Sequence, residues 1–256
     1  MSKAQQYFNQ EHQQVRDSVS RFVEREILPF VDAWEEAEEF PRELYLKAGA
    51  AGILGIGYPE KFGGSYEGDL FAKVAASEEL MRSGSGGLVA GLGSLDIGLP
   101  PVLKWAKPAV RDRVVPQVVA GEKIIALAVT EPSGGSDVAG LKTRAVRDGD
   151  FYRVTGSKTF ITSGVRADYY TVAVRTGGDG FAGVSLLLIE KGTPGFSVGR
   201  SLKKMGWWAS DTAELFFDDC KVPVENLIGV ENMGFACIMA NFQSERLSLA
   251  IMANMT

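Results

Sequence analysis

The sequence is poor in the residues that build metal sites and disulfides. Its 256 residues include one histidine, His12, and two cysteines, Cys220 and Cys237. A single histidine excludes a multi-histidine metal site and argues against a histidine-based triad, so we predict no metal site. The cysteines form no CxxC pattern, which is typical of a reducing compartment without structural disulfides. Difficult chemistry would therefore fall to carboxylates or to a bound organic cofactor.

Charge of one sign and long apolar runs are also scarce. Lys and Arg total 27 against 32 Asp and Glu, a net charge of −5 without a block of like charge. This predicts no nucleic-acid partner and no anionic-membrane partner. We expect no apolar run near the ~20 residues of a membrane span, and hence no membrane insertion. The first seven residues lack a signal-peptide pattern, so we expect a cytoplasmic protein of bacterial type.

The first part of the chain, residues 1–122, has the pattern of a helical domain. Apolar residues recur there every three or four positions, with Asn9 as a candidate N-cap and Pro29 as a candidate break. The glycine-rich stretch 84–94 follows a helical pattern and fits no nucleotide-binding motif. We interpret its glycines as serving close packing against another helix, or a pocket that needs small side chains. The predicted helices cover 9–36, 41–48, 69–82, a segment opened by Pro100 and Pro101, and 108–120.

The second part, residues 123–228, has the pattern of an antiparallel β-barrel or sandwich. Short apolar runs alternate with turns, and Asp148-Gly149 is a strong hairpin signal. From residue 229 to 256 the helical period returns, which we interpret as the first helix of a truncated C-terminal helical domain. The predicted fold class is therefore α+β: an all-α domain, a β domain and the start of a further helix. The predicted strands cover 124–129, 141–146, 152–162, 169–175, 184–190, 196–198 and 213–217.

Two segments of the β domain carry candidate binding chemistry. The first is Val129-Thr-Glu-Pro-Ser-Gly-Gly-Ser-Asp137, whose glycines and successive N–H groups could form an anion site. The alternative is a Pro-Gly turn capped by Asp137. The second is Gly156-Ser-Lys-Thr-Phe-Ile-Thr-Ser-Gly164, where Phe160 could pack on a planar ring and Thr162 could bond to it. The alternative there is ordinary strand core.

Together the two segments resemble the acyl-CoA dehydrogenase family, whose members hold FAD on a β domain between two helical domains. Further matching segments are Lys204-Met-Gly206, Ser210-Asp-Thr-Ala-Glu-Leu215 and Pro59-Glu-Lys-Phe-Gly-Gly64. The motifs follow one another along the chain in the same order as in the family. The resemblance spans nearly the whole chain. It implies that Phe160, where many relatives have Trp, stacks on the flavin, and that Thr162 bonds near its hydride-accepting atom. The other implied cofactor-binding residues are Leu127, Ala128, Val129, Thr130, Gly135, Ser136 and Ile161.

The resemblance also implies a catalytic base. Isovaleryl- and long-chain-type members use a Glu that directly precedes an Arg on the helix after the β domain, and Glu245 stands at that position before Arg246. The alternative is a solvated helix carboxylate, with the base in a later segment. Gln243, Ser244, Glu245, Arg246 and Ser136 match positions near the bound acyl-CoA.

The implied reaction is oxidation of an acyl-CoA thioester to the trans-2-enoyl-CoA, with electrons passed to an electron-transfer flavoprotein. We expect a homo-oligomer, a dimer or a tetramer, in a complete protein. The alternatives are a flavin oxidase or monooxygenase of the same fold, and a non-catalytic acyl-CoA-binding fragment. Trp207-Trp208 replaces a segment where many relatives carry Arg, and we interpret it as surface or inter-domain packing.

Overall fold

The first half of the structure is a group of packed helices. The computed structural model describes residues 7–255, so most of the segment tested for a signal pattern, and Thr256, lie outside the described residues. The helices are α1 (Gln10–Phe22), α2 (Val31–Glu36), α3 (Glu43–Ala50), α4 (Leu70–Met81), α5 (Gly86–Leu92), α6 (Leu95–Trp105), α7 (Pro108–Val119) and, after the β domain, α8 (Gly234–Met255).

The sequence signals at α1 are confirmed. The side chain of Asn9 accepts a hydrogen bond from the backbone N–H of His12 at 2.9 Å, which caps the helix. A π-helical turn, Val23–Ile27, ends the helix before Pro29, so the predicted single element is divided. The ring of His12 is buried, and its Nε2 atom lies 2.9 Å from the carboxylate of Asp69, the N-cap of α4. The sole histidine therefore joins the starts of two helices.

The helix around Pro100 and Pro101 begins earlier than predicted. Both prolines lie inside α6, which starts at Leu95, whereas the preference of proline for first turns had placed them at its beginning. The expectation about apolar runs was also wrong. Residues Gly86–Trp105 are long and apolar enough, by length and composition, to cross a membrane. This segment is two helices, α5 and α6, and 67% of its most apolar window is buried inside the protein. Such burial is typical of core helices.

The β domain is a mostly antiparallel sheet. Within the described residues its strands run in the order β6-β7-β3-β2-β4-β5-β8, and β1 adds to β4 in parallel. The predicted α+β class is confirmed, although the parallel pairings of β4 with β1 and with β2 depart from a purely antiparallel sheet. The strands are β1 (Ile125–Ala128), β2 (Arg144–Asp148), β3 (Phe151–Thr162), β4 (Tyr169–Arg175), β5 (Val184–Glu190), β6 (Phe196–Ser201), β7 (Thr212–Pro223) and β8 (Leu227–Ile228).

Helix α6 connects the two halves. Gly98 packs so closely on β1 that a Cβ atom there would lie 3.1 Å from the carbonyl carbon of Ala126. The hydroxyl of Thr171 on β4 donates to the carbonyl of Gly98 at 2.8 Å. Helix α8 packs against α4, α6 and β5. As a result, α6 lies in contact with both the first strand of the β domain and the last helix.

Candidate functional site

A buried ion pair joins the two motifs of the β domain. Lys158 on β3 is fully buried, and its ammonium donates to the carbonyl of Val129 at 2.9 Å and to the carboxylate of Glu131 at 2.8 Å. Glu131 also accepts from the backbone N–H groups of Lys142 at 2.6 Å and Thr143 at 2.8 Å. The carboxylate therefore has three donors, as a buried charge requires. The pair fixes the loop after β1 to the middle of β3.

The pKa values of this pair follow from burial and charge. Burial lowers the pKa of Lys158 to about 8, against the raising effect of the nearby carboxylate. For Glu131, burial acts to raise the pKa, but the charge of Lys158 and the hydrogen bonds outweigh it, and the pKa is lowered. The carboxylate is therefore ionised at neutral pH and faces inward, away from the exposed glycine turn that follows it.

A bulge in β3 turns Phe160 outward. The pairing of β3 with β7 shifts register between Lys158 and Ile161, and Phe160 adopts a left-handed backbone with φ of 58°. Its ring is 68% exposed, although the residues on either side are buried. The N–H of Thr159 donates to the carbonyl of Thr130 at 3.0 Å, so the bulge lies directly against the end of β1. The outcome is an aromatic face presented on the surface beside the first motif.

The glycine turn has free donors. Gly135 lies against Thr130, since a Cβ atom on Gly135 would be 3.2 Å from the methyl group of that threonine. Among the described residues, the backbone N–H groups of Gly135 and Ser136 have no hydrogen-bond partner, and both residues are exposed. Asp137 accepts from the N–H of Gly140 at 3.1 Å, so the alternative capped turn is present as well. Exposed N–H groups of this kind are suited to an anion.

The other predicted cofactor residues lie nearby but differ in access. Leu127 and Thr162 are half-buried, whereas the side chains of Ala128, Val129 and Ile161 are buried. These three can contact a ligand through backbone groups alone. The structure therefore brings residues 127–130, Gly135 and residues 160–162 together, as the resemblance implies.

Glu245 lies on α8, the helix that follows the β domain. Its Oε2 atom is buried and, among the residues that the structure describes, has no hydrogen-bond partner. Burial raises the pKa of Glu245, and the charge of Arg246 acts against that shift. One carboxyl oxygen is therefore shielded from water, although the side chain as a whole is half-buried. A carboxylate whose charged form is disfavoured by burial is suited to take a proton near neutral pH.

The neighbours of Glu245 on α8 are more open. Gln243, Ser244 and Arg246 are exposed, and the guanidinium of Arg246 lies 5.8 Å from the ring centre of Phe242. Ser244 also lines a cleft of about 280 Å³ between α8, α4 and α6. The predicted substrate residues of α8 are therefore accessible, whereas Ser136 lies on the separate glycine turn.

The glycines of α5 accommodate a loop from the β domain. A Cβ atom on Gly86 would lie 2.5 Å from Nε1 of Trp207, and one on Gly87 would lie 2.7 Å from the carbonyl carbon of Trp207. Trp207 itself has a left-handed backbone with φ of 57°. Close packing was predicted for this glycine-rich stretch, and inter-domain packing for Trp207. Both are confirmed, with a loop in place of the expected helix.

Sequence reasoning missed the role of Lys158. A usable signal was present, because a strict alternation along β3 places Lys158 on the same face as the buried Tyr152 and Val154. A lysine on a buried face needs a carboxylate partner, and Glu131 is the acid of the neighbouring motif.

The fold and the site define a class of protein. A helical domain and a mostly antiparallel β domain present an exposed aromatic residue beside free backbone donors, with a half-buried glutamate on the next helix. This arrangement is suited to a planar, phosphate-bearing ligand. Family models for the acyl-CoA dehydrogenase N-terminal domain and middle domain match residues 9–122 and 126–220. The chain belongs to the acyl-CoA dehydrogenase family, which is a family of oxidoreductases.

Individual relatives agree with this assignment. The chain is 41% identical over 249 residues to the mitochondrial long-chain specific acyl-CoA dehydrogenase of Rattus norvegicus, covering 96% of this chain and 57% of that protein. An acyl-CoA dehydrogenase from Geobacillus kaustophilus has a TM-score of 0.92 at 42% identity, covering 97% of this chain and 66% of that one. An acyl-CoA dehydrogenase from Bacillus anthracis complexed with FAD has a TM-score of 0.88 at 30% identity, covering 96% and 42%. The chain therefore spans less than two thirds of these relatives.

Proposed function

We propose that the chain takes part in the FAD-dependent oxidation of an acyl-CoA thioester to the trans-2-enoyl-CoA, with Glu245 as the base. The observation that carries this proposal is the Oε2 atom of Glu245, which is buried without a hydrogen-bond partner among the described residues, together with the burial that raises the pKa of this half-buried side chain. The chain is similar to a long-chain specific relative, and the resemblance described from the sequence implies a base at this position in members of that type.

The residues present fit FAD on three observations. The ring of Phe160 is 68% exposed and can cover one face of a flat ring system. The free N–H groups of Gly135 and Ser136 can hold a phosphate. Glu131 is turned inward on Lys158, so it does not oppose an anion there. The chemistry that FAD supplies when bound is the acceptance of a hydride.

The remaining steps fall to the chain's own residues. Glu245 takes the proton from the carbon next to the thioester carbonyl, and its burial keeps it basic enough to do so near neutral pH. The exposed Gln243 and Arg246 contact the CoA portion at the open side of α8. Phe160 and the backbone of residues 127–130 orient the cofactor edge and exclude water from it.

The proposed partners follow from the same reading. Electrons pass to an electron-transfer flavoprotein, and the protein functions as a homo-oligomer. The exposed apolar side chains of Leu247 and Leu249 on α8 support burial of this helix against further protein.

The test is anaerobic reduction of the flavin. The purified protein is reconstituted with FAD and mixed with acyl-CoA thioesters of several chain lengths without oxygen. We expect bleaching of the flavin absorbance and, in air, slow oxygen consumption. Rapid peroxide formation would instead identify an oxidase. A protein that takes up no FAD but binds acyl-CoA would be the non-catalytic fragment, and the proposal would be wrong.

A further inference from the structure

Two consecutive prolines leave a gap in the hydrogen bonding of α6. In an α-helix the carbonyl of Ile97 accepts from the N–H four residues later, or three residues later in a tighter turn. Those residues are Pro101 and Pro100, and neither has an N–H. The carbonyl therefore has no donor within its own helix. The side-chain amide of Asn241 on α8 supplies one, with Nδ2 lying 2.8 Å from this oxygen.

The orientation of Asn241 is set by this bond. The residue is 3% exposed, and an amide turned the other way would place its oxygen against the carbonyl of Ile97. With Nδ2 committed, the Oδ1 atom is buried and has no partner among the described residues. An orphan acceptor of this kind costs about 1–3 kcal/mol unless a donor reaches it.

Glu245 lies one helical turn beyond Asn241 and has the same deficiency, since its Oε2 atom is also buried without a partner in the described part of the chain. Residues four apart share a helix face, and helical side chains tilt toward the N-terminus. With this spacing the carboxyl of Glu245 can reach back toward Asn241. Two neighbouring acceptors need one donor between them, and a proton on Glu245 is such a donor.

The gap in α6 also lies next to the β domain. Gly98, the residue after Ile97, is the one whose backbone packs on β1 at Ala126. The bond from Asn241 to Ile97 thus fixes α8 on the part of α6 that contacts the strand leading into the first motif.

Other charges do not explain the state of Glu245. Arg246 is the charge that acts on it, and Arg246 favours the ionised form. The charged side chains that α4, α6 and β5 present make their own contacts: Lys73 with Asp96, Glu78 and Glu79 with Arg16, Lys104 with the ring of Trp105, and Glu190 with Arg113.

We propose that Asn241 is a positioning residue for Glu245: its N–H docks α8 on the carbonyl of Ile97, and its Oδ1 accepts a hydrogen bond from the protonated carboxyl of Glu245. The importance of this contact for catalysis rests on the proposed function. The contact itself is independent of the proposed function, because it involves neither flavin nor substrate.

The first test titrates Glu245 directly. Infrared difference spectra of the whole chain across pH report protonated carboxyl groups, and the band of Glu245 is the one lost in Glu245→Gln. Asn241→Leu removes the acceptor, and we expect the midpoint of this band to fall by about one pH unit, tenfold in the ionisation equilibrium. Asn241→Asp puts a negative charge at the same place and should raise it. An unchanged midpoint in either folded variant would overturn the proposal, and Asn241→Asp carries the test if Asn241→Leu fails to fold.

The second test addresses the docking bond. Pro101→Ala restores an N–H that can bond the carbonyl of Ile97 within α6. Asn241→Leu should therefore lower the urea midpoint by only about half as much in the Pro101→Ala background as in the native one. Equal losses in both backgrounds would contradict the docking role. Both measurements are made without substrate. If the protein is inactive but the Glu245 titration midpoint and the urea midpoint shift as described, the proposed function is wrong and this inference is supported.

Discussion

The buried pair of Lys158 and Glu131 gives a quantitative prediction for Lys158→Met. The substitution keeps an unbranched side chain, one heavy atom shorter, and removes its charge. It leaves the buried carboxylate of Glu131 without its cation and the carbonyl of Val129 without its donor. Removing one partner of a buried pair typically costs about 3–5 kcal/mol. Glu131 keeps two backbone donors, so we expect a loss of about 3 kcal/mol, at the lower end of that range.

A matched control lies on the same strand. Arg153 on β3 pairs with Asp148 at 3.0 Å and Asp219 at 2.6 Å, but its side chain is 39% exposed. Because water screens such surface pairs, Arg153→Met should cost at most about 1 kcal/mol although it breaks two contacts. Burial, not the number of ion pairs, should decide the difference between the two variants.

The assay is urea unfolding of both variants, of the parent and of Lys158→Met combined with Glu131→Gln. The double variant removes both charges, so it should be more stable than Lys158→Met alone. Equal losses for Lys158→Met and Arg153→Met would refute the reasoning. A double variant that is less stable than the Lys158→Met variant would also refute it.

Three further predictions concern other parts of the chain. Gly86→Ala should displace the loop of Trp207 and lower the free energy of unfolding by about 1–3 kcal/mol. Gly206→Ala, in the same loop, places its methyl group in open space and should be nearly neutral. Melting temperatures and Trp fluorescence of the two variants check this. Phe160→Ala should change the urea midpoint little, because the ring is 68% exposed, but should weaken FAD binding measured by fluorescence quenching. Burial raises the pKa of Glu245 in the folded state. The carboxyl group therefore contributes its full stability at acidic pH, below its unfolded pKa, and loses this contribution as pH rises through its folded pKa. Glu245→Gln should therefore stabilise the chain at neutral pH but not at acidic pH, as unfolding at the two conditions would show.

Local patterns predicted most of the elements but not their extent. β4 and β5 match their predicted bounds, Tyr169–Arg175 and Val184–Glu190, because both are continuous apolar runs. β7 extends to Pro223, well beyond the predicted end at residue 217, although Asp218 and Asp219 are poor strand formers. Its pairing with β3 maintains the strand there. Such tertiary pairing is invisible to a reading of propensities.

The same limit applies to the candidate site. The family resemblance of two short motifs implies that the glycine turn and Phe160 hold the same cofactor, whereas the exposure of Phe160 is seen only in the structure. The alternation along β3 signals that Lys158 is buried, but the sequence alone does not specify that Glu131, 27 residues away, is the partner it contacts. Nor does it predict that Asn241 fills the gap left by Pro101, because that contact spans more than a hundred residues of chain.

The most direct measurement of the central claim is the rate of flavin bleaching by an acyl-CoA in a rapid-mixing experiment without oxygen. Glu245→Gln is compared with the parent and with Glu67→Gln, whose carboxylate is exposed. Loss of a general base should slow bleaching by at least about 100-fold in Glu245→Gln, while FAD binding persists and Glu67→Gln matches the parent. Bleaching by Glu245→Gln at the rate of the parent would contradict the assignment of Glu245 as the base.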